Sequence, residues 1–353
     1  MSEKKDLRSY RFEELAAVTE DLGEKPFRAK QIFEWLHEKK ADDFSAMTNL
    51  SKDLRKKLSE NYEIYTVRPV RVLTSAIDGT RKYVHALHDG NVIETVLLKY
   101  DYGNALCISS QVGCRMGCRF CASTVDGLVR NLTAGEMAGQ IYSVEADINE
   151  RIGHVVVMGS GEPMDNFDAF TGFVDIITDD RGNNLSGRAI TVSTCGLVPK
   201  IRELADRRYA ITLALSLHAV TDEKRKEIMP VANKYPLEEV LEACRYYRDV
   251  TGRRITLEYS LIEGFNDSDE DVRGLTAIAR KLGGHVNLIP VNPIRESKYR
   301  ATAHGCAVRL KNKLEKNNIN VTIRREMGRD ISASCGQLRR SYINECGGGD
   351  RDA

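Results

Sequence analysis

Cys114-Arg115-Met116-Gly117-Cys118-Arg119-Phe120-Cys121 sets three thiols at CxxxCxxC spacing. The run follows residues 105–110, a short apolar segment that reads as a β-strand. Three thiolates on one tight loop can ligate three irons of a cubane 4Fe-4S cluster and leave the fourth iron without a protein ligand. An open iron of that kind can chelate an amino and a carboxylate group and pass an electron into the molecule that carries them. Zinc is the plainer alternative. It takes four ligands, commonly as two CxxC-like pairs, and three cysteines with no fourth nearby fit it poorly.

A second constellation lies one β/α unit later. Val155-Val156-Val157-Met158 runs into Gly159-Ser160-Gly161-Glu162-Pro163. Glycines at the carboxyl end of a parallel strand let backbone approach a ligand closely, and a carboxylate or carbonyl there can accept from an ammonium group. Around these motifs, short apolar strands at 105–110, 154–158, 189–193, 211–217, 254–262 and 285–291 alternate with amphipathic helical patterns. Thr133-Ala134-Gly135-Glu136 is a capping box. It precedes Met137, Ile141, Val144 and Ile148 on one helix face, and Val272, Leu275, Ile278, Ala279 and Leu282 share another. Six such units predict a parallel sheet with outer helices, an α/β fold.

The flanks of the cysteine loop carry a resemblance. Cys107-Ile108-Ser109-Ser110-Gln111-Val112-Gly113 before it and Gly127-Leu128-Val129-Arg130-Asn131-Leu132-Thr133 after it resemble the RlmN/Cfr family of RNA adenine methyltransferases, and its RlmN branch most. This family lies within the radical S-adenosylmethionine (SAM) superfamily, and the resemblance covers nearly the whole chain. It implies a partial (β/α)6 radical SAM barrel at 101–295. Residues 1–62 become an N-terminal helical accessory domain contacting RNA. Residues 63–100 become a β-strand linker segment with small flanking β elements, and 296–353 a C-terminal extension. Two departures stand out. Ser160 replaces the family's usual Met or Thr, and Ser193-Thr194-Cys195-Gly196 replaces Ser-Thr-Ser-Gly.

The resemblance also implies roles. Cys114, Cys118 and Cys121 hold one 4Fe-4S cluster, whose spare iron binds SAM and yields a 5′-deoxyadenosyl radical. Gly161, Glu162, Ser193, Ser216, Leu217, His218 and Asn292 are the SAM contacts. Cys335, in Gly328-Arg329-Asp330-Ile331-Ser332-Ala333-Ser334-Cys335-Gly336-Gln337-Leu338, is the methyl carrier. Cys107 resolves a protein–RNA crosslink by forming a disulfide with it, and Glu94 accepts a proton. The implied reaction puts a methyl group on carbon 2 of adenine, an electron-poor position that does not attack the methyl of SAM directly. Taken singly, Ser193 and Ser216 also read as helix caps, and Cys107 as a buried cysteine. Cfr-type methylation of carbon 8 shares the same cysteines, and a non-catalytic iron–sulfur RNA-binding module shares the cysteine loop.

Implied partners are 23S rRNA, tRNA and an electron donor of the flavodoxin type. The net charge of the 353-residue chain is only +1, so RNA binding calls for local patches. Lys25, Arg28, Lys30, Lys52, Arg55, Lys56 and Lys57 form one candidate. Arg324, Arg325, Arg329, Arg339 and Arg340 form another around the Cys335 segment. Nine cysteines in a chain without a secretory leader pattern or a membrane-length apolar run predict a cytoplasmic protein with no structural disulfide framework and no membrane partner.

Overall fold

The computed structural model describes residues 4–292, 297–331 and 342. Its centre is a ten-stranded sheet. The strands are β1 (Arg68–Thr74), β2 (Arg81–Ala86), β3 (Val92–Tyr100), β4 (Gly103–Ile108), β5 (His154–Val157), β6 (Ile190–Thr194), β7 (Thr212–Ser216), β8 (Thr256–Leu261), β9 (His285–Pro290) and β10 (Val321–Ile323). They lie side by side in chain order. From β4 to β10 every pair is parallel. Sequential order with right-handed crossovers keeps the connecting helices on one face, as in a β/α barrel, whereas a doubly wound sheet reverses order.

The helices are α1 (Phe12–Asp21), α2 (Phe27–His37), α3 (Lys52–Asn61), α4 (Ala134–Ile148), α5 (Phe167–Thr178), α6 (Val198–Asp206), α7 (Asp222–Ile228), α8 (Leu237–Thr251), α9 (Asp269–Leu282) and α10 (His304–Lys316). The predicted capping box starts α4: Thr133 Oγ1 accepts from Glu136 N at 3.0 Å, and Glu136 Oε2 accepts from Thr133 N at 3.0 Å. Strand alternation divides the sheet. Leu106, Ile108, Val155, Val157, Val192, Leu213, Leu215, Leu257 and Leu288 face the helices and form the main core. The other face carries Cys107 and Met158 in a small apolar cluster, and Ser193, Ser216 and Glu258 beside a cavity.

The parallel region gains a seventh strand, β10, which the sequence analysis left in the C-terminal extension. The strands between 63 and 100 are also more than flanking elements. β1, β2 and β3 form an antiparallel meander whose last strand pairs with β4, Val96 opposite Cys107. A hairpin-connected strand finds the unpaired edge of β4 nearest, and pairing removes that edge.

α1, α2 and α3 bury Leu15, Ile32, Phe33, Leu36, Leu54 and Leu58 in a core of their own. Buried Arg8 ties this module together by donating to Tyr65 O at 3.1 Å and Ala41 O at 2.8 Å. Gly135 N, at the start of α4, donates to Ser9 Oγ at 3.0 Å. No described helix is long and apolar enough to cross a membrane.

Three histidines are buried, His37, His85 and His218. Burial, the first cause in each, lowers their pKa to about 3. An unfolded imidazole titrates near 6.5, so between about pH 6.5 and 3 the unfolded chain binds more protons. Their contribution is full above the unfolded pKa and is lost as pH falls through that window. Urea unfolding at pH 5.5 should therefore show about 4 kcal/mol less stability than at pH 7.5 from these groups. An unchanged unfolding free energy would mean that they are not held neutral.

Candidate active site

The cysteine loop is built by backbone bonds at both ends. Cys114 N donates to Gly127 O at 2.9 Å and Cys121 N to Cys118 O at 3.1 Å. Thr124 Oγ1 donates to Cys118 O and Cys121 O at 3.1 and 2.9 Å. Arg119 N reaches Ile228 O at 2.9 Å and so latches the loop to the end of α7. Gly117, with φ 71°, makes the turn that brings the thiols together. Cys114, Cys118 and Cys121 line one cavity of about 190 Å³ with Gly161, Glu162, Ser193, Cys195, Ser216, His218, Glu258 and Arg324.

The Gly159–Pro163 turn is held against this loop. Gln111 Oε1 accepts from Glu162 N at 2.9 Å, and Gln111 Nε2 donates to Asp165 Oδ2 at 2.9 Å. Arg115 Nη2 meets Asp165 Oδ1 at 2.5 Å. Gly161 has φ 106°, and an added Cβ would lie 2.6 Å from Gln111 Cβ. The Glu162 side chain accepts from Met164 N at 3.1 Å and Cys195 N at 2.8 Å. Its carboxylate therefore joins two strand-end loops. Burial raises its pKa, opposed by those bonds.

Ser193 Oγ and Ser216 Oγ lie 3.1 Å apart at the ends of β6 and β7. Ser260 N donates to His218 Nδ1 at 3.0 Å, which assigns the proton of the neutral ring to Nε2. Phe120 packs edge-on against that ring at 4.9 Å. Leu217 is fully buried and is absent from the cavity lining. Its backbone N instead donates to Glu258 O at 3.0 Å. Asn292 is exposed and also outside the described lining.

Sequence reasoning missed Glu258 and buried Arg225, took Arg324 for an RNA contact, and gave Cys195 no place in the lining. Glu258 left one signal, a carboxylate between Thr256 and Ser260 on the face of the strand opposite Leu257 and Leu261. It accepts from Asn287 Nδ2 at 2.9 Å, and burial raises its pKa.

The donor set suits an iron–sulfur cluster. Burial pushes the Cys114 thiol up to about 12 and Cys118 well above the ordinary thiol range. These sulfurs become thiolates when a cation shares the cavity. Among the described residues, no three His, Cys, Asp or Glu side chains converge to hold a single metal ion. A cubane asks for one thiolate per iron.

Residues 5–64 match the family model for the N-terminal domain of ribosomal RNA large subunit methyltransferases, and residues 108–275 match that of the radical SAM superfamily. A probable dual-specificity RNA methyltransferase RlmN from Lachnospira eligens is 56% identical over 340 residues, spanning 96% of this chain and 97% of the relative. One from Clostridium perfringens is 51% identical over 343 residues, spanning 97% and 99%. The chain belongs to the RlmN family. Among solved structures, a radical SAM methyltransferase from Sphaerobacter thermophilus is similar with a TM-score of 0.88 and 40% identity, covering 94% of this chain and 98% of that one. Membership makes this chain a radical SAM methyltransferase.

Cys107 and Glu94, which the resemblance singled out, are also absent from the described cavity lining. Cys107 and Glu94 share the sheet face that carries Met158, which lines the cavity. Cys107 packs in a small apolar cluster with Val96, Met158 and Met327. Cys335 lies outside the described residues. The segment leading to it is described: Arg324 lines the cavity, Met327 joins the Cys107 cluster, and Asp330 accepts from Ser75 Oγ at 2.6 Å and Ala76 N at 2.9 Å.

Glu94 meets Lys82 Nζ at 3.1 Å, and both side chains are buried. Removing one partner of a buried ion pair takes a counter-charge from the other. Lys82→Met should therefore cost about 3–5 kcal/mol in denaturant unfolding. Lys82→Met combined with Glu94→Gln should recover much of that. A single-variant cost under about 1 kcal/mol would show that the pair is not a desolvated one.

The N-terminal basic residues are partly self-paired. Arg28 faces Glu24 at 3.9 Å, Lys30 faces Glu34 at 3.8 Å, and Lys56 faces Glu60 at 3.8 Å. Surface pairs of this kind are weak, so a phosphate can compete for the cation. Arg339 and Arg340 lie outside the described residues.

Proposed function

We propose that this protein methylates carbon 2 of an adenine in RNA, with 23S rRNA and tRNA as substrates. The near-full-length identity to dual-specificity RNA methyltransferases carries the reading. The sheet face shared by Cys107, Glu94 and the cysteine-lined cavity supports it. Cys114, Cys118 and Cys121 hold the cluster. Gly161, Glu162, Ser193, Ser216, His218 and Asn292 surround SAM, with Leu217 contributing through its backbone. Together the bound cluster and SAM supply a 5′-deoxyadenosyl radical.

The Cys335 sulfur first takes a methyl group from one SAM, releasing S-adenosylhomocysteine. Loss of a hydrogen atom from that methyl leaves a carbon radical on Cys335, which bonds to carbon 2 of the base. Glu94 takes the proton from carbon 2, and one electron would pass from the adduct back to the oxidised cluster. Cys107 then attacks the Cys335 sulfur. The new disulfide forms as the sulfur–methylene bond breaks, and the methylene carbon gains a proton to become the product methyl. Two electrons from outside restore the thiols, a transient disulfide compatible with a cytoplasmic setting. An electron donor of the flavodoxin type serves the cluster.

Residues 1–62 grip the RNA. Residues 63–100 and 101–295 build most of the catalytic sheet, and 296–353 add its last strand, β10, and carry Cys335. The target base leaves its stack to reach the site, so recognition rests on shape and unpaired bases. Salt-sensitive binding is expected from the basic residues.

The deciding experiment is digestion of RNA modified by the purified enzyme, followed by mass spectrometry against methyladenosine standards. 2-Methyladenosine is expected. Mainly 8-methyladenosine would overturn the assigned position. RNA binding with no methylated product and no 5′-deoxyadenosine would favour a non-catalytic module.

A further inference from the structure

Arg225, on α7, is fully buried. Its Nε donates to Leu217 O at 3.1 Å, and its Nη2 donates to Cys195 O at 2.8 Å and Ser216 O at 3.3 Å. These carbonyls lie at the end of β7 and in the loops that follow β6 and β7, and Cys195 and Ser216 line the cavity. Its Nη1 is buried with no hydrogen-bond partner among the described residues.

A guanidinium in this setting is costly unless a negative charge lies near. Groups close enough to act on it electrostatically include Cys195, Cys118, Cys244 and Asp222. Two of these, Cys195 and Cys244, are buried thiols whose pKa burial raises, and neither supplies charge. Asp222 accepts from Leu237 N at 2.8 Å at the start of α8. Cys118 is a cluster ligand. The same helix also receives the cluster loop through Arg119 N and Ile228 O. A cubane held by three thiolates is anionic and gains a further negative charge on reduction. Its potential depends on nearby charge and on hydrogen bonds to its sulfurs.

We propose that Arg225 is a positioning residue for the iron–sulfur cluster, its buried charge favouring the reduced form while its hydrogen bonds hold the two SAM-facing loops. This rests on the assignment of a cluster to Cys114, Cys118 and Cys121. The charge of the cofactor then adds to that of Asp222 in balancing Arg225.

The test is a redox titration of anaerobically reconstituted enzyme, without SAM, read by electron paramagnetic resonance. Arg225→Gln should lower the reduced-to-oxidised ratio at a fixed potential about tenfold, equal to about 59 mV for one electron. Arg225→Lys keeps the charge and should stay within about threefold of wild type. Equal ratios in all three proteins would overturn the proposal. If the Gln variant loses its cluster while the Lys variant keeps it, the charge requirement stands. If neither variant holds a cluster, the Arg225 charge is not what the cluster requires and the proposal is overturned. Wild-type protein that binds no iron and sulfide would remove the cluster assignment itself, a failure separate from that of Arg225.

Discussion

Cys118→Ala will make no 5′-deoxyadenosine above background, a fall of at least about a thousandfold, or about 4 kcal/mol in barrier terms. The loss follows from the donor count. One loop offers three thiols to the cavity, and a cubane anchored by two is short of a ligand. Cys195 also lines the cavity, but its backbone N is held by Glu162 at 2.8 Å and burial raises its thiol pKa. It is badly placed to substitute. Cys118 is only half-buried, so the alanine variant should melt close to wild type before reconstitution. Iron and sulfide content should fall with activity. A variant that keeps full 5′-deoxyadenosine production would refute the cluster assignment.

Cys107→Ala is expected to stop the reaction later and to leave evidence of where. With Cys335 still present, the methyl carrier can bond to the base but nothing releases it. The enzyme should run as a slower, RNA-linked band that nuclease digestion collapses, and free methylated product should drop about a thousandfold. Cys335→Ala should give neither product nor band, and the double variant should behave like it. The geometry favours this order. Cys107 sits in β4 between β3 and β5, in register with Val96 and Val156. Met327, eight positions before Cys335 in the chain, packs in the same cluster. Substituting alanine for a small buried thiol should cost about 1 kcal/mol, too little to explain lost turnover by unfolding. Free turnover by Cys107→Ala would reject the resolving role.

The cysteine loop, the Gly159–Pro163 turn, the capping box of α4 and the six predicted parallel strands were legible in the chain because each is local. Thiols within one turn, glycines at a strand end and a Thr–Glu pair three residues apart do their work along the backbone, so spacing reports them. The alternation that turns Cys107, Ser193 and Ser216 away from the helices is equally local, since strand side chains repeat every second residue. Resemblance added Glu94 and Cys335, which spacing alone would have left as a strand carboxylate and a tail thiol.

Tertiary structure decided what depends on contacts between distant segments. Leu217 and Asn292 sit at strand ends as expected, yet neither side chain is among the described cavity lining, because strand position does not set side-chain direction beyond the last ladder bond. Glu258, Arg324 and Arg225 enter the site from β8, the end of β10 and α7, and no motif joins them. The pairing of β3 with β4 brings Glu94 onto the Cys107 face, and the Lys82–Glu94 ion pair depends on that register. Local spacing thus determined which atoms could hold a cluster. Long-range packing decided which charges are buried around it, because burial and pairing are properties of the assembled interior.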